Sequence, residues 1–222
     1  MTRSDLEQAV YRRLGKNTAS VDSATQTRIR HFLNQRHRRI LAMPGLSHLR
    51  NTTTTFASVA GTSNYDVSGV FAVKRIFETT NDWTLERLSL EEYRRINPDP
   101  SASQSTPTHW VPITFNDGVL TIHLHPRPSA VITYTVEYTA IITDFAADSS
   151  EPLIPEEFQF VLELGAAMDE LVKTDDTRYL VWAAEYDQGL KDLLYWVASQ
   201  TYAPAMQRSG RSSLGPWYPS GT

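Results

Sequence analysis

The stretch PTHWVPITFNDGVLTIHLHPRPSAVITYTVEYTA, residues 107–140, decides how the whole chain is read. Two hairpin signals divide it. Asn116-Asp117-Gly118 separates an aromatic strand from GVLTIHL, and Asp-Gly suits a primed two-residue turn because glycine tolerates positive φ. His125-Pro126-Arg127-Pro128-Ser129 then interrupts the ladder before AVITYTVEY, since proline has no N–H to donate. The second and third runs alternate apolar and polar residues with period two, the mark of half-buried strands. The spacing predicts a three-stranded antiparallel meander with one buried face and one wet face. Leu120, Ile122 and Leu124 set the buried phase, which puts Thr121, His123 and His125 on the wet one.

Helices flank this region on both sides. Ser4-Asp-Leu-Glu7 reads as a capping box, followed by Leu6, Ala9, Val10 and Leu14 at helical spacing and a stop at Gly15. A second helix is expected from Ser20 or Asp22 to about Met43, with Ile29, Phe32, Leu33 and Ile40 on its apolar face. Its remaining surface is basic, through Arg28, Arg30, Arg36, Arg38 and Arg39 with His31 and His37. That surface is either solvated or set against an acidic protein partner, because arginine is favoured at interfaces. Arg28, Arg36, Arg38 and Arg39 are its candidate contact residues, and His123 and His125 join them as candidates on the wet strand face.

Beyond Leu49 the composition shifts to threonine, serine, glycine and valine. Short strands are expected around residues 51–57, at Tyr65, over 71–77 and over 83–88, followed by one short helix, LEEYRRI, capped by Ser89 and Glu92. After residue 151 the helical pattern returns. Pro155 pre-sets a first turn, and Phe158, Val161, Leu162, Met168 and Val172 form a stripe, with Gly165 allowing close approach of a neighbouring helix. A last helix to about Ser199 carries Tyr179, Trp182, Tyr186, Leu190, Leu193 and Val197 on its core side. The expected fold is α+β. A four-helix bundle, residues 1–45 and 151–203, is interrupted by a mostly antiparallel β domain with one short helix, residues 46–150. An extended tail occupies residues 204–222.

The tail, PAMQRSGRSSLGPWYPSGT, is rich in glycine, proline and serine and should not order alone. Fixing its 19 backbones costs roughly 1 kcal/mol each. Offsetting that takes on the order of 800 Å² of apolar burial, about one partner's share of a standard interface. Leu214, Pro216, Trp217 and Tyr218 are the anchors such docking would use, flanked by Arg208 and Arg211.

Bulk properties exclude several classes. The formal charge of −4 argues against a general nucleic-acid coat. With no cysteine, disulfides, thiolate nucleophiles and cysteine-ligated metals are excluded. The N-terminus has no apolar segment of the signal-peptide kind, and no run is long enough for a membrane span. No phosphate loop, dinucleotide fingerprint, nucleophile elbow or zinc-protease pattern occurs. His123 and His125 lie two apart on one strand, a spacing a metal can use, but no acidic residue or cysteine accompanies them. Glu163, Asp169 and Glu170 have no carboxylate partner at a spacing that suggests acid–base work. No catalytic, cofactor or metal site is predicted.

The order helix, helix, β unit, helix, helix with a C-terminal tail resembles head-to-tail adaptors, the connector or neck proteins of tailed bacteriophages and phage-like particles. The run from Trp110 to Tyr138, "W…G-x-L-x-I-x-x-x-P-x-P…Y-T-V-E-Y", is similar to the pattern such proteins carry. The resemblance covers most of residues 5–200 and departs at the Thr-rich 51–65 segment and the aromatic tail. It implies a homo-oligomeric ring, usually of twelve, beneath the portal protein at the neck of the virion, assembled in the host cytoplasm. Such a ring extends the DNA channel used in ejection, without sequence-specific binding, and offers the tail nozzle or next neck ring a docking surface. A net acidic tube would let DNA slide. The reading from another class is a non-viral module whose β domain binds carbohydrate or peptide through Trp83, Trp110 and Tyr138.

Overall fold

Thr2, and not Ser4, caps the first helix. The computed structural model of the chain describes residues 1–96, 104–174 and 176–209. Helix α1 spans Arg3–Arg13; the Thr2 hydroxyl accepts from Asp5 N–H, and the Asp5 carboxylate accepts from Thr2 N–H. The capping box therefore lies two residues earlier than the sequence suggests. Glu7, its expected member, is instead buried beside Arg3 at 3.1 Å and Arg30 at 2.9 Å. A buried carboxylate needs such partners more than a helix end needs a second cap.

The chain divides into two compact units, Met1–Leu46 with Asp144–Thr222 and Ser47–Thr143. In the first, α2 spans Ser23–Leu41, with the Asp22 carboxylate accepting from Thr25 N–H at 2.8 Å. Its buried positions, Ile29, Leu33, His37 and Ile40, recur every three to four residues. Helix α4, Phe160–Thr174, is the centre of this unit: α1, α2 and the last helix, α5 (Tyr179–Ser209), all pack on it. From Val161 to Met168 every residue of α4 is buried, so its apolar surface runs around the axis and is not one stripe. A 3-10 turn over Glu156–Phe158, after Pro155, precedes it.

Two glycines set the helix separations. A Cβ on Gly165 would lie 2.9 Å from a Tyr186 ring carbon and 3.0 Å from Arg36 Cδ, and one on Gly189 would lie 2.8 Å from Val161. Helix α5 does not stop near Ser199 but continues through Pro204 to Ser209. Ala203, Ala205, Met206 and Gln207 are good helix formers, and their preference carries the helix past the proline at which the sequence reading begins the tail.

The second unit holds a seven-stranded sheet. Its strands are β1 (Asn51–Ala57), β2 (Asn64–Ser68), β3 (Val70–Glu78), β4 (Thr84–Arg87), β6 (His109–Asn116), β7 (Val119–His125) and β9 (Thr133–Ala140). Two short strands, β5 (Gln104–Ser105) and β8 (Arg127–Pro128), form a separate parallel pair. The large sheet runs β1-β9-β3-β4-β6-β7-β2. Its neighbours are antiparallel except β4 and β6, which are parallel because helix α3 (Leu90–Ile96) crosses over between them. The sheet curls until the rings of Phe56 of β1 and Tyr65 of β2 meet in a tilted pair, centroids 4.9 Å apart. Trp110, Ile122, Leu124, Tyr134 and Val136 are among the side chains that fill its interior.

The β6–β7 hairpin forms as predicted, with positive φ at both Asp117 and Gly118. The three-stranded meander does not. Strand β9 leaves β7 and pairs with β1 and β3, while β2 takes the free side of β7. Pro126 and Pro128 offer no N–H, and Arg127–Pro128 pairs with β5, so the chain is carried off the β7 edge before β9 begins. The wet face of β7 is a second correction. His123 is buried, because Tyr93 of α3 lies on it.

Gly165→Leu is expected to lower stability by about 2–3 kcal/mol, since Tyr186 and Arg36 leave no room for the added atoms. Urea unfolding followed by circular dichroism checks this, with Val172→Leu, at an exposed position of the same helix, as the contrasting variant.

Candidate interaction surfaces

Arg13 of α1, Arg28 and Arg36 of α2, and Lys16 between the two helices reach carboxylates of α4. Arg36 meets Asp169 through two hydrogen bonds, Nε to Oδ2 at 2.7 Å and Nη2 to Oδ1 at 2.5 Å, and its guanidinium lies 5.0 Å over the Tyr186 ring. The Asp169 hydrogen bonds raise the Arg36 pKa further above its ordinary range, against the opposing effect of burial. Arg28 and Lys16 converge on Glu170 at 3.0 and 3.4 Å, and Arg13 reaches Glu163 at 3.3 Å. The hydrogen bond from Arg28 holds the Glu170 carboxyl below its usual value although burial opposes it. The acidic partner that the basic face of α2 calls for is thus supplied for Arg28 and Arg36 by the same chain. The sequence reading missed these pairs, whose members lie 133 and 142 residues apart.

What remains outward is narrower. Arg38 pairs with Asp144 at 2.6 Å in an exposed position. Arg39 is exposed and, among the described residues, unpaired. Both line a surface groove of about 340 Å³ with His31, Asn34, Gln35 and Asp144. A second groove, about 420 Å³, runs between the end of α4 and the start of α5, lined by Leu171, Val172, Asp176, Thr177, Tyr179 and Leu180. Beside it Leu180 and Val181 are 73% and 70% exposed, and Tyr195 further along α5 is 79% exposed. Helix α5 therefore presents apolar side chains on its outer surface as well as its packed one, a feature that a reading of the core stripe alone passes over.

The histidines divide by environment. His123 shares a hydrogen bond with the Tyr93 hydroxyl at 2.8 Å and another with Asn64 Oδ1 at 2.7 Å. Burial, and then the charges of His125 and Arg127, push its pKa down. His125, half-buried, is pushed down by burial and by His109. Among the described residues no group of three or more histidine, aspartate or glutamate side chains is placed to hold a metal. His37 is buried against Phe145, its Nε2 accepting from Leu153 N–H at 3.4 Å, and burial lowers its pKa to about 4.

Of the tail candidates, Leu214, Pro216, Trp217, Tyr218 and Arg211 lie outside the described residues, as does the side chain of Arg208. Of the aromatic trio named for ligand binding, Trp110 is in the core, Tyr138 packs against that core, and Trp83 alone is largely exposed. Among the described residues no helix is long and apolar enough to cross a membrane.

The charges inside the helical unit are matched within the chain, while Leu180, Val181 and Tyr195 of α5 are left exposed on its surface. The family profile described as SU10 adaptor protein matches residues 1–212, and the chain belongs to that family of phage head-to-tail structural adaptors. No curated protein matches it.

Two outcomes test this electrostatic account. Asp169→Ala leaves Arg36 largely buried without its partner and is expected to cost about 3 kcal/mol in urea unfolding, more than Asp144→Ala at the exposed Arg38 pair. The pH dependence follows from His37. Its folded pKa of about 4 lies below its ordinary 6.5, so unfolding takes up a proton, and its stabilising effect is full above pH 6.5 and lost as pH falls toward 4. Between pH 7 and 5 the loss is about 2 kcal/mol, to which the lowered His123 and His125 add in the same direction. His37→Gln is expected to show a smaller loss when urea midpoints are compared at the two pH values.

Proposed function

We propose that this chain is the repeating subunit of a ring, twelve copies in the arrangement its family resemblance implies, seated beneath the portal at the neck of the virion. The observation that carries this is the family match, which runs across both units to residue 212. In this reading α1, α2, α4 and α5 act as a four-helix bundle with the strand unit as an insertion. The ring extends the DNA channel, and its acidic net charge of −4 favours passage of DNA over adhesion.

The other face of the ring receives the tail nozzle. Portal docking falls to the end of α5 and the residues beyond it, with Leu214, Pro216, Trp217 and Tyr218 as aromatic and apolar anchors and Arg208 and Arg211 as charged flanks. Arg38 and Arg39, at the groove on α2, supply polar contacts to a neighbouring subunit. The ring closes when one heterologous contact repeats with a rotation that divides the circle. Assembly takes place in the host cytoplasm, before the tail is attached.

The purified chain mixed with its portal is expected to give a complex whose mass, by native mass spectrometry, corresponds to a ring on the portal. A mixture of free portal and monomeric chain would overturn the proposal. Truncation after Ser209 keeps every described helix and should weaken portal binding by roughly tenfold or more, while far-ultraviolet circular dichroism is unchanged. Undiminished binding would remove the tail from the docking role.

A further inference from the structure

Among the described residues two arginines are more than nine-tenths buried, Arg3 at 8% exposure and Arg50 at 7%. Arg3 has counter-charges, Glu7 at 3.1 Å and Asp148. Arg50 has none within ion-pair reach, and burial lowers its pKa with no neighbouring carboxylate opposing the shift. A buried charge without a partner is costly. The guanidinium is nonetheless held in one orientation. Arg50 ends a 3-10 turn over Ser47–Arg50 that leads into β1. Its Nη1 donates to the carbonyl of Ala140, the last residue of β9, at 3.1 Å, and its Cζ lies 5.0 Å from the centre of the Phe71 ring. Phe71 is exposed, at the point where the register of β3 against β9 shifts. All three residues belong to the strand unit. Nε is buried with no hydrogen-bond partner; Nη2 also has none, but it reaches the surface. Nε and Nη2 are the donors with which Arg36 holds Asp169 and Arg75 holds Glu137. Arg50 presents the same edge with no acceptor on it.

We infer that the Nε–Nη2 edge of Arg50 is a binding site for a carboxylate of a partner protein, carried on an aspartate, a glutamate or a chain terminus. Nη2 is the point of entry. A planar carboxylate sets two oxygens against that edge, the geometry that makes arginine–carboxylate pairs strong. A phosphate of duplex DNA is the poorer fit, because the edge is recessed and the net charge of −4 opposes nucleic acid. The Phe71 ring and the Ala140 carbonyl fix the fork in advance, so little side-chain freedom is lost when the acceptor arrives. The site does not rest on the ring reading. It calls for an acceptor that the described residues do not supply, whichever protein brings it.

Acetate is the simplest probe. In isotope-labelled protein the Arg50 Nε–H resonance, assigned by its loss in Arg50→Lys, is expected to move downfield and saturate with millimolar acetate, and to stay in place in matched sodium chloride. No saturable shift, or an equal one with chloride, would overturn the site; an equal one with phosphate would overturn its assignment to a carboxylate. Stability gives a second readout. Arg50→Met removes an uncompensated charge and is expected to raise the urea midpoint of the isolated chain, whereas Arg36→Met, whose fork is filled, lowers it. A fall in both would mean that Arg50 is already satisfied within the chain, against the inference. The source of the carboxylate is read from Arg50→Lys, which keeps the charge and loses the fork. It should weaken by roughly tenfold either self-association in sedimentation or binding to the purified portal. The affinity that falls names the source, and two unchanged affinities would overturn the assignment to a partner protein.

Discussion

Arg36 and Asp169 meet through two parallel hydrogen bonds in the middle of the helical unit, and the packing around them is set by that pair. Helix α4 is buried around most of its circumference yet carries Glu163, Asp169 and Glu170. An ionised carboxylate in such a position needs a counter-charge, or it takes up a proton and loses its hydrogen bonds. Arg13, Arg36, and Arg28 with Lys16 answer the three in turn. The pairing fixes how α1 and α2 are placed along α4, more narrowly than apolar contact would. Arg36 also touches the third neighbour, since its stem packs against Gly165 and its head lies over Tyr186 of α5. One side chain therefore couples three helices.

In the strand unit the constraint is backbone pairing. The curled sheet gives most strands two neighbours, and the parallel β4–β6 contact exists because α3 spans the crossover. The same helix accounts for His123. Tyr93 covers that side of the hairpin, so a polar residue in the outward phase ends up buried, with both ring nitrogens hydrogen-bonded. The sheet is covered where α3 lies, and at β1 it curls until Phe56 meets Tyr65 of β2.

Local signals in the sequence carried the elements well. The Asp22 cap, the Ser89–Glu92 box and the Asp117-Gly118 turn all depend on residues within a few positions of one another, and all three occur. The α+β class followed from the change of period from 3.6 to 2 and back. What could not be read was which distant strand or charge each element would meet. Strand β9 has the alternation of a meander strand, but its partners are β1 and β3, and no local feature names them. The partners of the α4 carboxylates were not visible in the sequence because their cations lie more than 130 residues away. Adaptor membership was legible as a resemblance, whereas Arg28 and Arg36, taken as outward contacts, turned out to face their own chain.

The division of the helical unit between two chain segments has a consequence for synthesis. Helices α1 and α2 leave the ribosome more than a hundred residues before α4, their common neighbour. At roughly 5–20 residues per second, that interval lasts on the order of 5–20 s. During it Ile29, Leu33 and Ile40 lack the surface that later covers them, and Arg36 has no carboxylate. The strand unit, contiguous in the chain, can finish folding first. The emerging α1–α2 segment is therefore the part of the nascent polypeptide with most need of a holdase, and the strand unit the part with least.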